Sequence, residues 1–215
     1  MASHGDKYEQ RTAWTRMRLA NIEELVDPQP GDRVLDLGCA AGSIAHFFST
    51  LGCEAVGCDD APTAIVEARR RYPALRFDQA DCSNLPYDDE SFDKLVAADL
   101  TEHLEDSVLE RMTRESFRVL RAGGTLAIHT PNPRHIIERL KARGFLLEQN
   151  PTHIGLRTRE DLESRLRRAG FVIDLSLWRR SFIPGFRSLE AIGGRFTELF
   201  RYRICIRARR PGAAA

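Results

Sequence analysis

The chain lacks any run of the roughly 18–20 consecutive apolar residues that a helix needs to span a bilayer. Its first residues, Met1-Ala2-Ser3-His4-Gly5-Asp6, lack the apolar centre of a secretory signal. It has only five cysteines (Cys39, Cys53, Cys58, Cys82 and Cys205), an odd number with no C-x-x-C pair. That excludes a disulfide framework and leaves free thiols in a reducing, cytoplasmic setting as the expectation. Internal repeats and low-complexity linkers are also missing, so a single domain over residues 1–215 is expected. The dinucleotide fingerprint G-x-G-x-x-G is absent, which puts an NAD-dependent oxidoreductase last among the readings.

What is present begins at Arg33-Val34-Leu35-Asp36-Leu37-Gly38-Cys39-Ala40-Ala41-Gly42-Ser43. Val34, Leu35 and Leu37 form a strand-length apolar run, and Gly38 to Gly42 breaks it. Ile44, Phe47, Phe48 and Leu51 then recur at helical spacing until Gly52. Strand, glycine-bearing turn and helix open a nucleotide-binding β-α-β unit. The glycines let a ligand approach the backbone, and free N–H groups at the helix start favour an electron-rich group. A second strand, Glu54 to Cys58, ends on Asp59 and Asp60, about 20 residues beyond the first glycine. A carboxylate there suits a ribose diol. Asp36 stands where a pyrophosphate would bring negative charge, so it fits a ligand carrying an amino group better.

This stretch resembles motif I of the class I S-adenosylmethionine-dependent methyltransferases, often written D-x-G-C-G-x-G, with Ala40 in place of the middle glycine. The resemblance implies S-adenosylmethionine as cofactor. Asp36 and the turn through Gly38, Cys39, Ala40 and Gly42 would hold its methionine part; Asp59, beside Asp60, would hold the ribose. Ala80-Asp81-Cys82-Ser83-Asn84-Leu85-Pro86-Tyr87 is similar to the family's G-D-A-x-x-L-P-F segment. By that likeness Asp81 accepts from the adenine amino group and the Cys82 N–H serves a ring nitrogen. A fourth strand, Ser91 to Ala98, delivers Asp99 to Asp106 beyond its carboxyl end, where open α/β sheets bind ligands. Asp99 is counted with the cofactor-binding residues. The N/D-P-P-Y of nucleobase amino-methyltransferases is absent here; Pro131-Asn132-Pro133 follows the fifth strand instead. The implied fold is α/β: a Rossmann-like seven-stranded sheet of order 3-2-1-4-5-7-6, last strand antiparallel, with helices on both faces.

His103 is the candidate general base, because imidazole titrates near neutrality and this one follows the fourth strand. Asp99-x-x-Glu102-His103 also places two carboxylates and an imidazole on one turn, to which a lid could add His153. The pattern resembles the E-x-x-E-H plus distal histidine of ubiquinone-biosynthesis O-methyltransferases and of small-RNA 3′-terminal ribose 2′-O-methyltransferases. It implies Mg²⁺ or another divalent metal at Asp99, Glu102, His103 and His153, with Asp99 a shorter arm than the family's glutamate.

The rest of the chain supplies the surroundings. A helix over about 8–26, with Trp14, Met17, Leu19, Ile22, Leu25 and Val26 buried, caps the site, and a lid is expected over about 131–157. Thr158 reads as the N-cap of a later helix, and residues 181–199, with Phe182, Ile183 and Phe186, form a cap insertion. Residues 1–129 carry 14 Lys/Arg against 23 Asp/Glu (−9), and residues 130–215 carry 18 against 8 (+10), so the overall +1 hides an asymmetry. It suggests an anionic partner for the C-terminal part, either a small acceptor or a phospholipid surface, with nucleic acid ranked lower. The activity expected is O-methylation of a small acceptor such as a phenol, catechol or lipid-linked quinone. RNA ribose methylation and non-catalytic adenosylmethionine binding are the competing readings.

Overall fold

The computed structural model describes residues 12–144, 148, 150–181 and 186–212, and for residues 12–14 and 186–189 the backbone alone. In chain order the elements are α1 (Thr12–Val26), β1 (Arg33–Leu37), α2 (Ser43–Thr50), β2 (Glu54–Asp59), α3 (Pro62–Arg71), β3 (Arg76–Gln79) and β4 (Phe92–Ala98). A 3₁₀ turn (Thr101–His103) follows, then α4 (Asp106–Val119), β5 (Leu120–Pro131), α5 (Ile136–Ala142), α6 (Arg159–Arg168) and β6 (Val172–Arg179). The chain continues with α7 (Phe186–Gly193), a 3₁₀ turn (Glu198–Phe200) and β7 (Arg203–Arg209).

The seven strands form one sheet of order β3-β2-β1-β4-β5-β7-β6, as the sequence implied. β7 runs antiparallel to both its neighbours and the other pairings are parallel. β1 is buried on both faces, which a parallel sheet between two helical layers requires. On one face Leu35, Leu95 and Leu126 pack with Leu109 and Met112 of α4 and Leu162 and Leu166 of α6. On the other, Val34, Val96 and Ala127 pack with Ile22 of α1, Phe48 of α2 and Ile65 of α3. Of the helix expected over 8–26, Ile22, Leu25 and Val26 are buried; Trp14's side chain lies outside the described residues, as do Phe182, Ile183 and Phe186's side chain. Thr158 caps α6 as its sequence suggests, accepting the Asp161 N–H at 3.3 Å.

One boundary differs from the turn that the sequence suggests, and β6 extends the strand that begins at 171–175. Arg121-Ala122-Gly123-Gly124 reads as a turn before the fifth strand, yet β5 already starts at Leu120. Phe92 pairs with Leu120 and Lys94 with Thr125, so these residues bulge out of the β4 ladder. They bond β7's end instead: the Gly123 N–H donates to the Arg210 carbonyl, and the Arg210 N–H to that of Gly124. β6 also runs on to Arg179, because pairing with β7 continues past its apolar start.

Part of the charge asymmetry is paired inside the fold. Arg157 pairs with Asp106, Arg165 with Asp106 and Glu110, Arg179 with Glu24, Arg203 with Asp99, Arg207 with Asp27 and Arg210 with Glu90. The basic C-terminal part thus closes onto the acidic N-terminal part. Among the described residues no helix is long and apolar enough to cross a membrane.

Candidate active site

Strands β1 to β4 end on one cleft of about 350 Å³. Gly38 follows β1, Cys58 and Asp59 end β2 with Asp60 just after it, Ala80, Asp81 and Cys82 follow β3, and Leu100, His103 and Leu104 come from the segment after β4. Glu105, Val108 of α4 and Ile154, between α5 and α6, complete its wall. The sequence therefore brought the ribose and adenine candidates together with the candidate base.

The turn after β1 is held by left-handed backbone. Gly38 has φ 67° and Gly42 φ 82°. A Cβ on Gly42 would lie 2.6 Å from the Phe77 ring, so this position needs glycine both for its φ and for its neighbour. Ala40 also has positive φ, 46°, at the position where the family pattern places glycine; the alanine costs about 1 kcal/mol of backbone strain there. That strain is invisible in the sequence, where flanking glycines make the change look mild. The Ala40 N–H donates to Asp59 Oδ2 at 2.9 Å and the Ala61 N–H to Oδ1 at 3.0 Å, which fixes the Asp59 carboxylate at the cleft. Asp81 Oδ1 accepts the Ser83 N–H at 2.7 Å.

Asp36 lies beneath this turn, 1 % exposed, and does not line the cleft. Its Oδ2 accepts the Ala45 N–H at 3.2 Å, while Oδ1 is buried without a hydrogen-bond partner. Burial pushes its pKa up to about 7, against the pull of the Arg18 guanidinium. An orphaned carboxylate oxygen under a glycine turn fits a cofactor with an amino group. Burial raises the thiol pKa of Cys39 above its ordinary range and that of Cys82 to about 12, so neither is a nucleophile near neutrality.

Asp99 departs from its expected role. It stands at φ 58°, and both carboxylate oxygens are taken. Oδ1 accepts Arg203 Nη1 at 2.6 Å, and Oδ2 accepts Arg18 Nε at 3.0 Å and Nη2 at 2.8 Å. Burial would raise its pKa, but Arg203 and Arg18 override it and hold the carboxyl well below the usual range. Asp99 lies outside the cleft lining and outside the metal-ligand cluster, so its assignment as a ligand is corrected: it is the hub joining α1, β4 and β7. Neither arginine was legible as its partner, because both are distant in sequence.

The other three expected ligands do converge. Glu102, His103 and His153 each offer a donor atom within 4.8 Å of the others. Glu102 is 1 % exposed and its Oε2 accepts the Thr130 hydroxyl at 2.9 Å. Burial, then the Asp99 charge, pushes its carboxyl pKa up. The His103 and His153 rings meet edge to face, centroids 4.9 Å apart. His153 Nδ1 has no hydrogen-bond partner among the described residues, and burial, then His103, lowers that ring's pKa. His103 Nδ1 lies 3.0 Å from the Thr152 carbonyl oxygen. A carbonyl can only accept, so Nδ1 carries the hydrogen and the neutral ring presents its lone pair at Nε2.

Two buried histidines belong to other networks. His129, 3.8 Å from Asp99, is held neutral by burial with a pKa near 3, and His135 bonds Glu190 at 3.1 Å.

Comparison with known proteins agrees with this geometry. A family model described as a methyltransferase domain matches residues 34–124. A probable S-adenosylmethionine-dependent methyltransferase of Mycobacterium tuberculosis is 31% identical over 182 residues, covering 84% of this chain and 63% of that protein. The malonyl-[acyl-carrier protein] O-methyltransferase of Enterobacter lignolyticus is 34% identical over 164 residues, covering 75% of this chain and 64% of that one. The chain thus spans just under two thirds of the length of these relatives. The crystal structure of a SAM-dependent methyltransferase from Methanosarcina mazei superposes with a TM-score of 0.70 at 20% identity, over 89% of this chain and 97% of that one. With the matching sheet order and the glycine turn set against Asp59 and Asp81, residues 34–124 form a methyltransferase domain, and the chain is similar over most of its length to S-adenosylmethionine-dependent methyltransferases.

Proposed function

We propose that the chain catalyses methyl transfer from S-adenosylmethionine to an oxygen of a small-molecule acceptor, with His103 as general base. The observation that carries this is the shared cleft: Asp59 and Asp81 on the cofactor side and His103 on the wall beyond β4 line the same cavity. The cofactor supplies a methyl group on a positively charged sulfur. The Gly38–Gly42 turn, Asp59 and Asp81 bind and orient it, and the buried Asp36 carboxylate supports the turn electrostatically. His103 takes the acceptor's hydroxyl proton at Nε2, the nitrogen left free by the Thr152 contact. Leu100, Leu104, Val108 and Ile154 give the remaining wall, which also holds Glu105, an apolar stretch that suits a phenol or catechol ring. Support for oxygen as the methylated atom comes from the malonyl-[acyl-carrier protein] O-methyltransferase likeness.

The Glu102, His103 and His153 cluster favours a second role for the same residues, in which they hold a divalent cation that gathers the acceptor oxygens. One carboxylate and two imidazoles suit a transition-metal ion better than Mg²⁺, since Asp99 adds no oxygen. The test is transfer of a labelled methyl group from S-adenosylmethionine to phenols and catechols, with and without chelator. Activity that survives chelation and is lost in His103→Ala supports the base. Activity abolished by chelator and restored by metal supports the cation role, and no transfer to any oxygen acceptor contradicts both.

A further inference from the structure

His153 reaches the cluster from a segment 50 positions beyond His103 in the sequence. Something must hold that segment against the turn after β4, because Thr101 and Glu102 of the turn are buried while the segment itself carries exposed Thr152 and Ile154. Beside the His103 Nδ1 contact with the Thr152 carbonyl, most of the hydrogen bonds across this junction come from one side chain. Arg157, 7 % exposed at its side chain, donates through Nη1 to the carbonyls of Thr101 at 2.8 Å and Gly155 at 2.6 Å. Through Nη2 it donates to the Leu104 carbonyl at 2.7 Å and to Asp106 Oδ1 at 2.7 Å, and through Nε to the same oxygen at 3.0 Å. The Gly155 N–H bonds the Glu102 carbonyl at 2.9 Å. A Cβ on Gly155 would run into the Leu104 carbonyl oxygen. The guanidinium thus spans both ends of the Thr101–Leu104 turn and the segment carrying His153, using a planar fork that lysine cannot reproduce.

We propose that Arg157 is a positioning residue for the active site: it clamps residues 152–157 onto the Thr101–Leu104 turn so that His153 completes the cluster with Glu102 and His103. What the assembled cluster does rests on the methyl-transfer reading; the assembly itself does not. Among the described residues, none of Arg157's hydrogen bonds goes to the Gly38–Gly42 turn, Asp59 or Asp81, so its loss should leave S-adenosylhomocysteine affinity intact. Where methyl transfer is measured, Arg157→Ala should lower kcat by about 100-fold, the cost of misplacing a reacting group by roughly 1 Å, with KM for the cofactor unchanged.

The test is NMR of histidine-labelled full-length protein, following the through-space cross-peak between the His103 and His153 rings. Arg157→Ala and Gly155→Ala should lose that cross-peak while still binding S-adenosylhomocysteine, Arg157→Lys should not restore it, and added guanidinium should restore it in Arg157→Ala but not in Gly155→Ala. A cross-peak that persists in Arg157→Ala overturns the proposal, whatever the activity. So does full restoration by lysine, which would reduce the role to charge alone. A protein that shows these changes but transfers no methyl group would contradict the functional reading and leave the clamp standing.

Discussion

Replacing Asp99 by asparagine removes one charge and leaves two guanidiniums facing each other. The side chains of Asp99, Arg18 and Arg203 are 17%, 12% and 11% exposed, so water cannot take over the carboxylate's role. Breaking a buried ion pair by deleting one partner costs about 3–5 kcal/mol; since asparagine keeps one acceptor oxygen, a loss of about 3 kcal/mol is expected. For a chain of this size that corresponds to a fall in Tm of about 6–12 °C. Urea unfolding at neutral pH would read the free energy, and limited proteolysis near α1 would read the local consequence, since Arg18 is a tie between that helix and the sheet. The pH dependence has a definite sign. Asp99 binds its proton less tightly in the folded protein than in the unfolded chain, where the ordinary value is 3.8. Its contribution is therefore fully present above that value and is lost as pH falls through the folded pKa, so native protein and variant should converge in acid. A loss below about 1 kcal/mol would refute this reasoning, because it would place the pair among solvent-screened surface contacts.

Asp36 predicts the opposite slope. Its folded pKa of about 7 lies above the unfolded 3.8, so the folded protein holds that proton more tightly; stability is greatest below 3.8 and declines as pH rises to about 7. Asp36→Asn should flatten this decline, which amounts to about 4 kcal/mol across the whole window and about 2.7 kcal/mol between pH 5 and pH 8 at 1.36 kcal/mol per unit; urea unfolding at those two pH values checks it. His103→Ala should reduce turnover on an oxygen acceptor by about 100-fold or more without weakening S-adenosylhomocysteine binding, as steady-state kinetics beside calorimetry would show.

The cofactor half of the cleft was legible in the sequence because its parts are local. A strand end, a glycine turn and an acid at the next strand end fix one another within about 20 residues, and the sheet order came from the family resemblance that these motifs carry. The acceptor half was only partly legible. Glu102, His103 and His153 could be named as a set, but not the reason for their meeting, since Arg157 is one of many arginines and its carbonyl partners leave no mark in sequence. Asp99 was misassigned because sequence spacing places it on the right turn and cannot show that Arg18 and Arg203, 81 and 104 positions away, claim its oxygens. Sequence also could not show that some of the +10 half's arginines pair with the −9 half inside the fold, as Arg207 does with Asp27 and Arg210 with Glu90.

The central claim is that this cleft binds S-adenosylmethionine through the β1 turn and Asp59. Calorimetric titration of the native chain and of Asp59→Ala with S-adenosylhomocysteine tests it most directly. The account predicts saturable binding to one site by the native chain and a loss of at least about 10-fold in affinity, or 1.4 kcal/mol, in the variant. No binding by the native chain, or equal binding by both, would contradict it.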